Sequence, residues 1–286
     1  MPTSSAKIRR SDKQRPDQVS ALVRGMEVLH CFQAGARALS NGDIARRTGI
    51  PKPTVTRLVA TLVSLGYLKQ MPDTDMYAMS AGVLALAQAF LSGLDVRACA
   101  RPHMMELAES ADAAVYLGVR VELDMVLIEA CRSQSTMLHS RVSVGSRLDL
   151  ATAAAGRAYL SALGIAERDA LIAQMRKAHG TRWNAYAAGL ERSLRDAAAW
   201  GYALSAGEWH PDINTIAAPL LAADGELLAL TCGGPAFAFP AGRLRKSIAP
   251  HLLEIANTIA REIGGSVPIA ASTGAPVRRA ASRALA

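Results

Sequence analysis

Residues 40–70 read SNGDIARRTGIPKPTVTRLVATLVSLGYLKQ, and this stretch decides the N-terminal fold. Ser40 with Asp43 three residues on has the form of a capping box, which opens a helix by satisfying two backbone N–H groups reciprocally. Gly49 fits the left-handed position that closes one. Prolines at 51 and 53 then stand where a helix start tolerates them. Val55, Leu58, Val59, Leu62 and Leu65 recur at helical spacing as a buried stripe, and Gly66 stops the second helix. Two short helices pinched by one glycine have the form of a helix-turn-helix. The second helix, 52–65, carries Lys52, Thr54, Thr56 and Arg57 off its apolar stripe.

Upstream, SALVRGMEVLHCF places Leu22, Met26, Leu29 and Cys31/Phe32 at helical period, with Ser20 as a candidate N-cap. Downstream, YLKQMPDTDMYAM offers two extended segments around a Pro-Asp-Thr-Asp turn, a hairpin signal. Helix, helix, helix, hairpin is the order of a winged helix-turn-helix, spanning 18–80. Residues 1–17 are polar and aperiodic and read as a disordered arm; 81–94 read as a linker helix, 95–265 as a second domain, and the Ala/Arg/Pro stretch 266–286 as a disordered tail.

At 286 residues the chain has room for two domains, each able to bury its own core. Charge separates them. Residues 1–79 carry 12 Lys/Arg against 6 Asp/Glu, residues 80–263 carry 17 against 18, and the remainder carries 3 against none. A basic first domain joined to a nearly neutral second one points the first toward a polyanion, although a solvated basic face gives the same balance. No charged leader followed by an apolar run is present, and AGVLALAQAFL falls well short of the roughly 20 residues of a bilayer span. The expected location is the cytoplasm, with no membrane partner. The four cysteines, Cys31, Cys99, Cys131 and Cys232, form no CxxC pair and suggest small buried hydrophobes in a reducing compartment.

A recognition helix works by projecting its N-terminal side chains into a groove about 12 Å wide. Arg57 suits guanine or phosphate there; the threonines suit a thymine methyl or a phosphate oxygen. Arg46 and Arg47, late in the preceding helix, fit either backbone contact or a favourable charge at a helix C-terminus. Lys69 in the wing is a further phosphate-contact candidate. The same spacing also fits a three-helix module for protein contacts.

In the second domain AAVYLGVRVE and DMVLIEACR read as strands. LDLATAAAGRAYLSAL, AERDALIAQMRKA and LERSLRDAAAWG read as helices. YALSAG and INTIAAPLLAADGELLALTCGGP close with strands around an Asp-Gly turn, before a final helix near 243–263. The fold class is α+β, an α/β sandwich. ATAAAG at a helix start offers backbone N–H groups to a carboxylate while its short side chains let the ligand approach, and equally fits plain core packing. GxSxG, a Gly-rich phosphate loop and HExxH are missing, so no catalytic residue is assigned; His139, Ser140 and Cys131 are near only in sequence. Cys99 and His103 have a metal-compatible spacing without a second pair. His210 beside Trp209 is equally ambiguous, and neither a metal nor a cofactor is expected.

ALVRGMEVLHCF, LSNGDIARRTGIPKPTVTRLVATLVSLGYL, ARPHMMELAE, GSRLDLATAAAGRAYLSAL and AAPLLAADGELLALTCGGP together resemble, in this order, the IclR family of bacterial transcriptional regulators. The resemblance runs from about Ser20 to Gly265. It implies a winged helix-turn-helix, a linker helix and a GAF-like effector domain. It further implies a homodimer or homotetramer on a palindromic double-stranded DNA operator, responding to an organic or aromatic acid. On the family's pocket pattern, Ala154 and Ala155 match the small pair facing the effector. Ser205, Ile213 and Thr215 fall on the segment before IAAP, and Thr231 and Gly233 on the last strand. Ser205 and Thr215 stand where some members have Asp and Cys, and Gly233 replaces a hydroxyl, so the effector does not transfer directly. Tyr116 and Trp209 suit an aromatic-accepting wall and equally ordinary core. A metabolite-binding module or enzyme using the helix-turn-helix for protein contacts is the alternative.

Overall fold

A computed structural model describes residues 18–32, 37–134 and 142–268. The arm at 1–17 lies outside them, as do His139, Ser140 and most of the tail. The chain divides into two units, 1–93 and 94–286.

The first unit runs α1 (Ser20–His30), β1 (Leu39–Ser40), α2 (Asn41–Thr48), α3 (Lys52–Ser64), β2 (Leu68–Gln70), β3 (Met76–Met79) and α4 (Gly82–Ser92). The capping box forms: Ser40 Oγ accepts from the Asp43 N–H at 3.1 Å, and the Asp43 carboxylate accepts from the Ser40 N–H at 3.1 Å. Gly49 adopts φ 75°, the left-handed conformation that lets the chain reverse between α2 and α3. Val28, Phe32, Ile44, Ile50, Val55, Val59, Leu62 and Leu68 build the core, each contributing roughly 1.5–3 kcal/mol of transfer free energy.

Several details differ from the sequence reading. Ser20 begins α1 without capping it, since Val19 holds the cap position. Leu22 and Met26 are exposed and Val28 is the buried anchor, so the inward face is rotated from the expected stripe. Leu65 is likewise exposed, because it lies past the last helical turn. The two-residue β1 pairs with β3 and makes the wing a three-stranded sheet, order β1-β3-β2. α4 buries none of its residues.

The second unit runs α5 (Asp95–Ala111), β4 (Ala114–Val121), β5 (Asp124–Arg132), β6 (Arg147–Asp149), α6 (Ala154–Ser161), α7 (Ile165–His179), α8 (Trp183–Trp200), β7 (Ala203–His210), β8 (Ile213–Leu221), β9 (Leu227–Pro235), α9 (Ala241–Arg243), a π segment Leu244–Ile248 and α10 (Ala249–Glu262). Its six strands form one antiparallel sheet in the order β6-β5-β4-β9-β8-β7. Alternation along β4 sends Ala114 and Tyr116 into the core shared with α6 and α8, and Val115 and Leu117 to the face covered by α5 and α10. Both faces are thus covered, which is why β4, β8 and β9 are apolar almost throughout.

LDLATAAAG is not helical from its start. Leu148 and Asp149 belong to β6, and the Asp149 carboxylate accepts from the Ala151 and Thr152 N–H groups at 3.0 and 3.1 Å, folding a turn before α6. Ser266, assigned to the tail, instead pairs with Leu221 through two backbone hydrogen bonds of 2.8 and 2.9 Å.

Candidate functional site

In the first unit α3 stands with its N-terminal half open. Lys52, Thr56 and Arg57 are exposed and Thr54 is half-buried, while Val55 and Val59 point inward. The Arg57 guanidinium makes no hydrogen bond or ion pair among the described residues, and the charge is free to meet a ligand. Thr56 is more constrained: its hydroxyl donates to the Lys52 carbonyl at 3.0 Å and accepts from Asn41 Nδ2 at 3.3 Å. Asn41, which sequence reasoning missed, thereby links the start of α2 to the exposed face of α3. Only its position directly after the cap residue could have flagged it.

The two arginines of α2 are already engaged. Arg46 pairs with Asp43 in the capping box, and Arg47 donates to the Cys31 carbonyl at 2.9 Å, capping the end of α1. Lys69 on β2 is exposed. The Asp43 carboxyl is held below the ordinary aspartate value, first by the Ser40 hydroxyl and then by the Ser40 N–H.

The second unit encloses a cavity of about 50 Å³. Ala153, Ala154 and Ala155 form one wall; Tyr116, Thr231, Gly233, Ile213 and Thr215 form the sheet side, with Trp209 at the edge. Strand register explains the gathering, because Tyr116 lies opposite Thr231 and Gly233 opposite Thr215. The start of α6 has no side-chain cap, so its first N–H groups remain available. Thr231 is 3% exposed, and its hydroxyl has no hydrogen-bond partner among the described residues. Among the described residues no charged side chain lines the cavity.

Eight of the nine residues expected at the effector pocket therefore line one cavity; Ser205 does not. Its hydroxyl turns away and donates to the Thr152 carbonyl at 2.7 Å, tying β7 to the turn before α6. Ala114, Val142, Leu148, Ala153, Gly234 and Pro235 also line the cavity and were not foreseen. Ala114 was recoverable from alternation with Tyr116.

Cys99 and His103 share a face of α5 and both meet Glu262, each at 3.0 Å. Burial, then the Glu262 carboxylate, pushes the Cys99 thiol up to about 11. Among the described residues no group of three or more His, Cys, Asp or Glu has the arrangement of a metal site. Cys131 is buried, and His210 is exposed beside Asp212.

An IclR helix-turn-helix domain matches residues 21–72, and the C-terminal domain of bacterial IclR transcriptional regulators matches residues 88–263. The chain belongs to the IclR family. The regulator TsaQ1/TsaQ2 of Comamonas testosteroni is 31% identical over 87% of this chain and 90% of its own length. An IclR family regulator from Brucella abortus superposes with a TM-score of 0.81 at 39% identity, covering 92% of this chain and all of that one. An IclR homolog from Microbacterium hydrocarbonoxydans, solved with 4-hydroxybenzoate, shares the fold at 22% identity, with a TM-score of 0.66 over 85% of this chain and 99% of that one. The Comamonas and Brucella relatives are transcriptional regulators rather than enzymes. This IclR member is accordingly a regulator with a DNA-binding helix-turn-helix and a C-terminal effector domain. Among its described residues no single helix is long and apolar enough to cross a membrane.

Proposed function

We propose that this IclR regulator reads a palindromic operator as a dimer in the cytoplasm, and that a small organic or aromatic acid bound in the α6 cavity alters that reading. The observation that carries the ligand assignment is Thr231. A buried hydroxyl without a partner costs about 1–3 kcal/mol, and a ligand oxygen accepting from it relieves that cost. The uncapped start of α6 supplies N–H groups and a positive dipole end to the same oxygen or its carboxylate partner. Ala154 and Ala155 let it approach, and Tyr116, Ile213 and Trp209 offer apolar surface to the remainder. The Microbacterium homolog's 4-hydroxybenzoate makes aromatic acids a natural first probe.

On the DNA side, Arg57 and Lys52 supply unpaired charge at the start of α3, with Thr54 and Thr56 beside them. Arg46 and Arg47 serve mainly inside the unit, and Lys69 offers a phosphate contact from the wing. Pairing of two copies is supported by apolar side chains left in water: Val19, Leu22 and Met26 on or next to α1, and Leu84, Leu86 and Phe90 on α4, are all exposed. The apolar side chains left exposed on these two helices are the surface such pairing would cover. Ligand binding then shifts the population of dimer geometries, and with it the separation of two recognition helices on half-sites about 34–36 Å apart.

A gel shift of the full chain on DNA flanking its own gene, at several salt concentrations and with a panel of short and aromatic acids, tests this. Acid-sensitive, salt-sensitive binding to one sequence is expected. Binding that ignores every acid, with no thermal shift of the protein by any of them, sinks the ligand assignment; absence of sequence-selective binding sinks the operator assignment.

A further inference from the structure

Arg157 is 1% exposed, deeper than any other cation described. Its Nε donates to the Ala151 carbonyl at 2.8 Å, and its Nη1 donates to the Leu204 carbonyl at 3.0 Å and to Glu208 Oε2 at 2.5 Å. Nη2 is buried and has no partner among the described residues. Arg157 is fully desolvated while the Glu208 side chain stays 34% exposed, so the pair repays little beyond the lost hydration of the guanidinium. Its significance lies in what it joins.

Ala151 belongs to the turn entering α6, two residues before Ala153 on the cavity wall. Leu204 and Glu208 belong to β7, an edge strand of the sheet. Along β7 the ladder with β8 holds from Ala203 to Ala206 and resumes only at His210 opposite Ile213. Gly207, Glu208 and Trp209 between them are not in register with any β8 residue, and Gly207 takes φ 72°. This bulge is therefore not fixed by strand pairing. Its position is set by two neighbouring side chains: Glu208, held by Arg157, and Trp209, which lines the cavity. Helix α8 leaves room for the pair. A Cβ on Gly189 would collide with the Glu208 carboxylate and stand 3.2 Å from Arg157 Nη2.

The cavity as it stands holds about 50 Å³, whereas a cavity that takes up benzene measures roughly 150 Å³. An aromatic ring fits only if part of the wall gives way. The α6, β4, β8 and β9 sides are locked by helix and ladder hydrogen bonds, and Val142 in the loop before β6 is held at its carbonyl by the Arg132 guanidinium, which singles out the bulge.

We propose that the Gly207–Trp209 bulge is the adjustable wall of the effector cavity and that the Arg157–Glu208 pair is the catch holding it closed, so that these two residues govern the size of acid admitted. The inference rests on reading the cavity as the effector site. Arg157 and Glu208 touch no ligand; they are positioning residues acting through Trp209.

Two variants of the full chain test it by different routes. Glu208→Gln keeps a hydrogen-bonding side chain of the same shape and removes the charge. Gly189→Ala leaves both partners intact and puts a methyl group where the carboxylate lies. Trp209 emission, taken as the difference between each protein and its Trp209→Phe counterpart, is expected to shift to the red and become more quenchable by acrylamide in both variants without any acid present. Calorimetric titration with acetate, benzoate and 2-naphthoate is expected to show the affinity of 2-naphthoate relative to acetate rising about tenfold. Arg157→Lys, which keeps the charge but loses the fork, is expected to fall between wild type and Glu208→Gln. Unchanged Trp209 emission in folded Glu208→Gln and Gly189→Ala proteins overturns the catch, whether or not any acid binds. A loosened Trp209 in a protein that binds no acid supports the catch and removes the effector reading instead. If Gly189→Ala does not fold, Glu208→Gln decides alone.

Discussion

The two candidate sites are built in opposite ways. On the recognition helix the functional side chains project outward from a small core, and a few neighbours in sequence place them all. In the effector cavity the functional groups point inward, come from α6 and four strands, and are defined as much by what is missing as by what is present. The first site is a matter of which residues protrude, the second of which residues are too short to fill a space. A protruding residue can be removed with little harm to the fold. A residue that frames a cavity is also part of the core, so ligand binding and stability are coupled there.

That contrast can be broken by mutation. The largest effect is expected from Arg157→Ala, which removes a fully buried side chain and leaves the Ala151 carbonyl without its donor, at roughly 2–5 kcal/mol; urea unfolding of the full chain followed by circular dichroism reads it. Arg57→Ala is expected to lower operator affinity by about 1–3 kcal/mol, relaxing preference at one base pair, while leaving the unfolding curve unchanged. An equal loss of stability would mean that the outward face of α3 is not independent of the core.

Smaller effects sharpen the same contrast. Ser40→Ala removes a cap worth about 1 kcal/mol. The Asp43 carboxyl, held below its ordinary value by the Ser40 hydroxyl and N–H, stabilises the fold above the ordinary aspartate range. That stability is lost as pH falls through the lowered value. Melting of wild type against Ser40→Ala between neutral and acid pH should therefore converge as the solution is acidified. Smallest of all, Thr231→Val removes a hydroxyl with no partner among the described residues and should raise the stability of the ligand-free protein by about 1 kcal/mol or less, while weakening acid binding. A mutation that stabilises the empty protein and harms the liganded one has no counterpart on the DNA side.

The same difference governs how much was legible in the sequence. The capping box at Ser40 and Asp43, the turn at Gly49 and the exposed residues of α3 are encoded within some twenty residues, and local periodicity suffices to read them. Misjudged Leu65 and Leu22 show the limit of that method, since periodicity gives a face but not where the helix stops touching its neighbours. In the cavity, the strand positions Tyr116, Thr215, Thr231 and Gly233 fall together because of a register that alternation and family pattern can follow. Ser205 failed because a hydroxyl chooses its partner in three dimensions, and the Thr152 carbonyl lay closer than the cavity. LDLATAAAG was read as all helix because alanine permits both states; the Asp149 carboxylate decides for a turn. The pairing of Arg157 with Glu208 spans 51 residues and has no local signal at all.

The alanines of the cavity wall carry a consequence for how such a regulator diverges. Apart from glycine, every residue reachable from alanine by one base change is bulkier. Substitution at 154 or 155 therefore moves the chamber almost entirely in one direction, toward smaller guests. Broader tastes must arise elsewhere, at positions such as Trp209 where a large side chain can shrink, so that descendants of this chain narrow their diet along the helix and widen it along the outer strand.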